Sequence, residues 1–178
     1  MTLLALSHGK PDYALVNPFA LRVPIAPHIA AREAGLEILL ESINAAFAAL
    51  STNADCIIVE GVGGWCAPLS DMLMQRDLVR SLRLPVILVV GLRLGCINHA
   101  LLSARAIAAD GCELIGWIGS CIDPQMLRTD ENIATLRERL PAPCLGILPF
   151  AANADARRLG AHLDAAVTAI LAACRPAP

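Results

Sequence analysis

The chain has 178 residues, of which 56 % are hydrophobic, 17 % charged and 3 % aromatic, and its formal net charge is −2. That length fits one domain with a substantial core. A core of Ala, Leu, Ile and Val suits layered α/β packing better than an aromatic-rich sandwich. The charge gives no footprint for nucleic acid, and no Lys/Arg cluster marks an anionic membrane surface. The longest apolar run, Leu84 to Leu92, is far short of the roughly 20 residues of a membrane span.

The start, Met1 to Ser7, lacks the basic region of a signal peptide. The seven cysteines are scattered, with no C-x-x-C pair, so a zinc or redox centre ranks last among the readings. Cys56 and Cys144 read as small core residues. A reduced, cytoplasmic protein is expected.

After an opening punctuated by Pro11, Pro18, Pro24 and Pro27, Leu36, Leu39, Leu40, Ile43 and Phe47 recur at helical spacing, which predicts a helix over about 27–50. A polar turn leads to a strand from Cys56 to Glu60. Ser70-Asp71 resembles the N-cap of a helix reaching about Leu82. Pro85 to Gly91 is the cleanest strand pattern, β-branched and wholly apolar, followed by a helix over about 97–109. A strand at 113–119, a helix at 130–140, a strand at 144–148 and an amphipathic helix at 155–174 complete the order, with a tail at 175–178. Alternating strands and helices imply right-handed crossovers. The predicted fold class is α/β, a doubly wound, mostly parallel sheet with helices on both faces.

Two segments carry chemistry. The run Ile57-Ile58-Val59-Glu60-Gly61-Val62-Gly63-Gly64-Trp65 is an apolar strand ending in an acid and a glycine loop. Ligands gather at strand carboxyl ends in such sheets. Glycines let backbone N–H groups approach a phosphate, and a carboxylate there suits a hard cation such as Mg²⁺. The plainer alternative is a tight turn with a solvent-facing Glu60. The second segment, Gly91 to Ala100, runs from a strand through Gly95 into a helix N-terminus. Free N–H groups at Cys96, Ile97, Asn98 and His99 and the helix dipole would make an anion site there. Taken alone this is weak, because every such unit has a helix N-terminus. His99 fits packing or capping better than catalysis, and no base stands beside Cys96 in sequence.

Together, Val59–Trp65, Pro68-Leu69-Ser70-Asp71 and Leu84–Ala100 with its Gly-Cys-Ile-Asn-His-Ala core closely resemble the dethiobiotin synthetase family. Gly116-Trp117, Asn132–Leu136, Leu145–Pro149, Asn17-Pro18-Phe19 and Ala26-Pro27-His28 extend the resemblance over nearly the whole chain. It implies a P-loop-NTPase-like fold and the ATP- and Mg²⁺-dependent ring closure of 7,8-diaminononanoate with CO₂ to dethiobiotin, in biotin biosynthesis. It implies Glu60 as Mg²⁺ ligand, with Gly61, Val62 and Gly63 lining the nucleotide phosphates. Ser120 and Cys121 stand where the family usually has Asn-Asp at the base, and Pro149 and Phe150 match the adenine loop. Gly95, Cys96, Ile97 and Asn98 match the tip that takes the substrate carboxylate across a homodimer interface.

The family opens with a strand and a G-x-x-x-x-G-K-T loop, then a second Lys and an Asp. Lys10 is the sole lysine here, so no residue matches the catalytic lysines. The expectation is a single domain spanning 1–178, incomplete at its N-terminus, beginning after the first strand and phosphate loop. Loss of charge stabilisation at the γ-phosphate would then weaken ATP binding, and loss of the strand would expose sheet edges. Three readings follow. The chain is the enzyme with its front end missing from the sequence, a non-catalytic partner that pairs with a full-length subunit, or an inactive remnant.

Overall fold

A computed structural model describes residues 2–153 and 155–174. They divide into two compact units, one on each side of the Arg83–Leu84 boundary.

The amino-terminal unit is helical. It holds α1 (Thr2–Leu6), α2 (Tyr13–Val16), α3 (Pro27–Glu33), α4 (Leu40–Ser51) and α5 (Gln75–Leu82). The short α2 is nucleated by Asp12, whose Oδ1 accepts the Ala14 N–H at 3.1 Å, an N-cap that satisfies one orphan donor. Buried Ala31, Ile38, Leu69 and Leu78 form the core, with Phe19, Leu21, Ile43 and Leu73 packed against them.

Three sequence expectations are corrected in this unit. The helix expected over 27–50 is two helices. Gly35, at φ +65°, ends α3, with Gly35 N–H donating to the Arg32 carbonyl and Leu36 N–H to the Ala31 carbonyl. That paired closure is a Schellman stop, and it overrides an apolar spacing that runs straight through it. The helix expected from Ser70 starts at Gln75. Ser70 instead closes a turn, its Oγ accepting the Met72 and Leu73 N–H groups, while Asp77 Oδ2 accepts the Met74 N–H at 2.8 Å at the true helix start.

The third correction bears on function. Residues 56–60 form no strand, and Ile58 is 74 % exposed. A strand exists only where a neighbour supplies the paired N–H and C=O groups. Among the described residues this segment has no ladder partner, however apolar its sequence. Cys56 is accordingly a half-buried residue of an irregular segment.

The carboxy-terminal unit is a parallel sheet flanked by helices. Its elements are β1 (Val86–Leu92), α6 (Cys96–Ala109), β2 (Leu114–Cys121), α7 (Thr129–Arg139), β3 (Cys144–Leu148), α8 (Ala156–Gly160) and α9 (Asp164–Ala173). The strand order is β1-β2-β3, all parallel. Among the described residues three strands form where four were expected, since 56–60 is not a strand. One face is covered by α6 and α7, whose Cys96, Ala100, Ala104, Ile133 and Leu136 pack with Val90, Leu92 and Trp117. Small residues on α6 let it lie close to the strands. On the other face α9 packs on β3 and β2, while Val89 of β1, in register with Ile118, is 63 % exposed. Cys144 lies in β3, half-buried, as read from the sequence.

The helix expected over 155–174 is broken at 161–163. His162 N–H and Leu163 N–H turn back onto the Leu159 and Gly160 carbonyls. The break brings the His162 carbonyl down onto β3 at Gly146. The tail at 175–178 lies outside the described residues. No helix among the described residues is long and apolar enough to cross a membrane.

Candidate functional site

In the amino-terminal unit the glycine loop is pinned by the start of α5. Gln75 N–H donates to the Ala67 carbonyl at 2.8 Å and Arg76 N–H to the Trp65 carbonyl at 3.1 Å, and Pro68 bridges Met74 in antiparallel fashion. Gly63 and Gly64 sit at φ +68° and +99°, backbone that residues with a Cβ rarely adopt. Their N–H groups meet no protein acceptor among the described residues, as an anion-binding loop requires. Val62 N–H differs, because Gln75 Oε1 accepts it at 3.5 Å. Glu60 and Gly61 lead into the loop, and Glu60 is exposed. It thus stands at the loop as read from the sequence, though not at a strand tip.

Glu60 is a hard oxygen donor with open surroundings. No group of three or more His, Cys, Asp and Glu able to cage a metal occurs among the described residues. That donor set fits Mg²⁺, which characteristically takes one or two carboxylates and fills its remaining positions with water and phosphate oxygens. It does not fit a closed, all-protein metal centre.

In the carboxy-terminal unit the strand ends are brought side by side. Gly91 pairs with Ser120 and Leu92 with Cys121, while Ser120 pairs on its other side with Leu148, so Pro149 and Phe150 leave the sheet next to Ser120. Sequence alone could not set this register, yet every site residue assigned to this unit falls at the sheet's carboxyl end. Gly95, at φ +93°, delivers the chain from β1 into α6. Of the four N–H groups expected free at that tip, two are engaged. Cys96 N–H donates to the Arg93 carbonyl and His99 N–H to the Gly95 carbonyl. Ile97 and Asn98 N–H have no protein acceptor among the described residues, so the expectation of an anion site narrows to them.

Between β1 and α6 lies a cleft of about 210 Å³ that Cys96, His99, Arg93 and Ser103 line together with Gly91 and Ile122. Ser103 and Ile122 were not singled out from the sequence, whereas Gly91 and Arg93 lie within the segment read from Gly91 to Ala100. Ser103 and Ile122 carried no motif, and only the approach of α6 to β1 puts them on one cleft with Arg93. Cys96 is 1 % exposed. Burial raises the Cys121 thiol above its ordinary value, and the negative charge of Asp130 raises it further, so this thiol stays protonated near neutral pH. The sequence also offered no sign of Gln75, a buried polar residue at the start of α5 that packs on the glycine loop. The sequence places it only within the helix expected from Ser70 to about Leu82.

The parallel strands and the helices that flank them define an α/β domain, and the family model described as "AAA domain" matches residues 2–158. More narrowly, the chain belongs to the dethiobiotin synthetase family. It is 58 % identical over 156 residues to the ATP-dependent dethiobiotin synthetase BioD of Xanthomonas euvesicatoria pv. vesicatoria, covering 88 % of this chain and 70 % of that protein. The protein of the same name from Xanthomonas campestris pv. campestris is 53 % identical over 163 residues, 92 % of this chain and 73 % of the relative. That from Xylella fastidiosa is 55 % identical over 149 residues, 84 % and 66 % respectively.

Proposed function

We propose that this chain acts in ATP-dependent dethiobiotin synthesis, the closure of a ureido ring on 7,8-diaminononanoate with CO₂ at the expense of ATP. The observation that carries the reading is 58 % identity over 88 % of the chain to an enzyme of that name. In this reading the Gly63 and Gly64 N–H groups take nucleotide phosphate, and Gly61 and Val62 shape the loop around it. Glu60 holds Mg²⁺, which when bound offsets phosphate charge. Ser120, Cys121, Pro149 and Phe150, adjacent by strand register, flank the base. Ser120 and Cys121 offer a hydroxyl and a protonated thiol rather than an amide and a carboxylate, so discrimination among bases is weak. Ile97 and Asn98, with Gly95 and Cys96 fixing the helix start, receive the substrate carboxylate.

The protein is further proposed to work as a cytoplasmic homodimer, with the α6 tip serving the second subunit's substrate. No residue is assigned as catalytic lysine. The domain is taken to be one functional unit over 1–178.

The test is calorimetric titration of the protein with MgATP, alongside an assay of dethiobiotin formation from the diamine, bicarbonate and ATP. Glu60→Ala is expected to lower MgATP affinity at least tenfold, a loss typical of a removed metal contact. Equal affinity in the two proteins removes Glu60 from the metal. An absence of MgATP binding by the unsubstituted chain removes the nucleotide reading itself.

A further inference from the structure

We infer that Gln75 is a positioning residue that anchors the glycine loop from its buried side, an inference that rests on the proposed role of that loop in holding nucleotide phosphate. Gln75 is 5 % exposed, in a helix whose other polar side chains face solvent or the helix start. Its Oε1 accepts the Val62 N–H at 3.5 Å. Its Nε2 lies 3.3 Å from the point where a Cβ on Gly61 would stand, so the side-chain amide is packed against the loop at Gly61. The Gln75 backbone is itself fixed, through its N–H on the Ala67 carbonyl. The loop is thereby closed from both ends of one residue.

The arrangement has a division of labour. A buried amide is costly unless it is hydrogen-bonded, and the Val62 N–H gives the Gln75 oxygen its partner. By taking the Val62 N–H, it holds the loop where the left-handed Gly63 and Gly64 keep their own N–H groups for an anion. Preorganised donors bind an anion without a cost of reordering at the moment of binding. Gln75 acts through the loop, and it does not itself touch the ligand.

The experiment compares Gln75→Met, which keeps length but loses the acceptor, with Gln75→Glu, which keeps an acceptor oxygen. Amide hydrogen exchange at Val62 is read against the amides of α4, and MgATP affinity is measured on the same proteins. Gln75→Met is expected to speed Val62 exchange about fivefold, the loss of one modest hydrogen bond, with α4 unchanged, and to weaken MgATP binding. Gln75→Glu should keep Val62 protected. Unchanged Val62 exchange in Gln75→Met overturns the inference, and so does equal acceleration in both variants, which would mean that the side chain only fills space. Release of Val62 in Gln75→Met with no change in MgATP binding supports the anchor and overturns the loop's assignment to nucleotide.

Discussion

Gly146 of β3 lies directly against the backbone carbonyl of His162, in the link that joins α8 to α9. A Cβ built on Gly146 would fall on that oxygen and on Leu163 Cδ2. The contact locks the closing helices to the sheet, and neither a backbone carbonyl nor a paired strand yields easily. Gly146→Ala is therefore expected to destabilise the protein by about 3 kcal/mol, the upper range for overpacking. Gly91→Ala meets only the flexible end of Ile122 and should cost about 1 kcal/mol or less. Urea unfolding of the two variants checks the difference, and equal midpoints would refute it.

Leu136 is wholly buried between α7 and the sheet. Its truncation to Ala removes apolar burial and leaves a void that close-packed neighbours fill incompletely. The expected loss is about 3 kcal/mol, seen as a lower denaturant midpoint with an unchanged slope.

Gly95 occupies left-handed backbone with open space around its missing Cβ. Gly95→Ala is thus limited by backbone conformation, at a cost of about 1–2 kcal/mol, and not by a clash. Its larger effect should fall on the α6 tip. The carboxylate binding proposed for Ile97 and Asn98 should weaken more than stability does, which titration with a diamine substrate would detect beside thermal unfolding.

Cys121 has a raised thiol pKa in the folded chain, from burial first and Asp130 second. The folded state thus binds the proton more tightly than the unfolded state does. The associated stability is fully present below the ordinary cysteine value and is lost as pH rises through the raised one. Alkylation at pH 8 should reach exposed Cys66 and Cys174 well before Cys121. Asp130→Asn removes the smaller cause and should move Cys121 reactivity part of the way toward lower pH. A Cys121 rate equal to that of Cys66 would contradict the shift.

The ion pair of Arg32 and Asp71, at 2.8 Å, joins side chains that are 67 % and 80 % exposed. Solvent screens such a pair, so Arg32→Ala should change stability by about 0.5 kcal/mol or less. Asp77, which accepts the Met74 N–H at the start of α5, should matter more, at about 1 kcal/mol for Asp77→Ala. A double titration of both variants in urea ranks them.

The three strands after Pro85 and the helices between them were legible, the strands from their apolar runs and the helices from the segments left between them. Strand β3 begins and ends where the sequence places it, and β1, α6, β2 and α7 begin and end within about two residues of their sequence assignments. The glycine loop and the α6 tip were legible through residue type, since glycine adopts φ values such as those of Gly63 and Gly95 at no steric cost. Periodicity misled where a local stop interrupted it, at Gly35 and at 161–163. Both breaks are closed by backbone hydrogen bonds that leave no trace in hydrophobic spacing.

What the sequence determined by itself is therefore local: which segments favour helix or strand, where glycine permits a turn, and which motif marks the family. Tertiary structure alone decided whether Cys56–Glu60 found a ladder, which strand ends adjoin Ser120, and which side chains share the cleft beside Cys96. It also turned Gln75 inward onto Val62. These outcomes depend on partners distant in the chain, and a backbone group's hydrogen bond is fixed by what folding brings to it rather than by the residue that carries it.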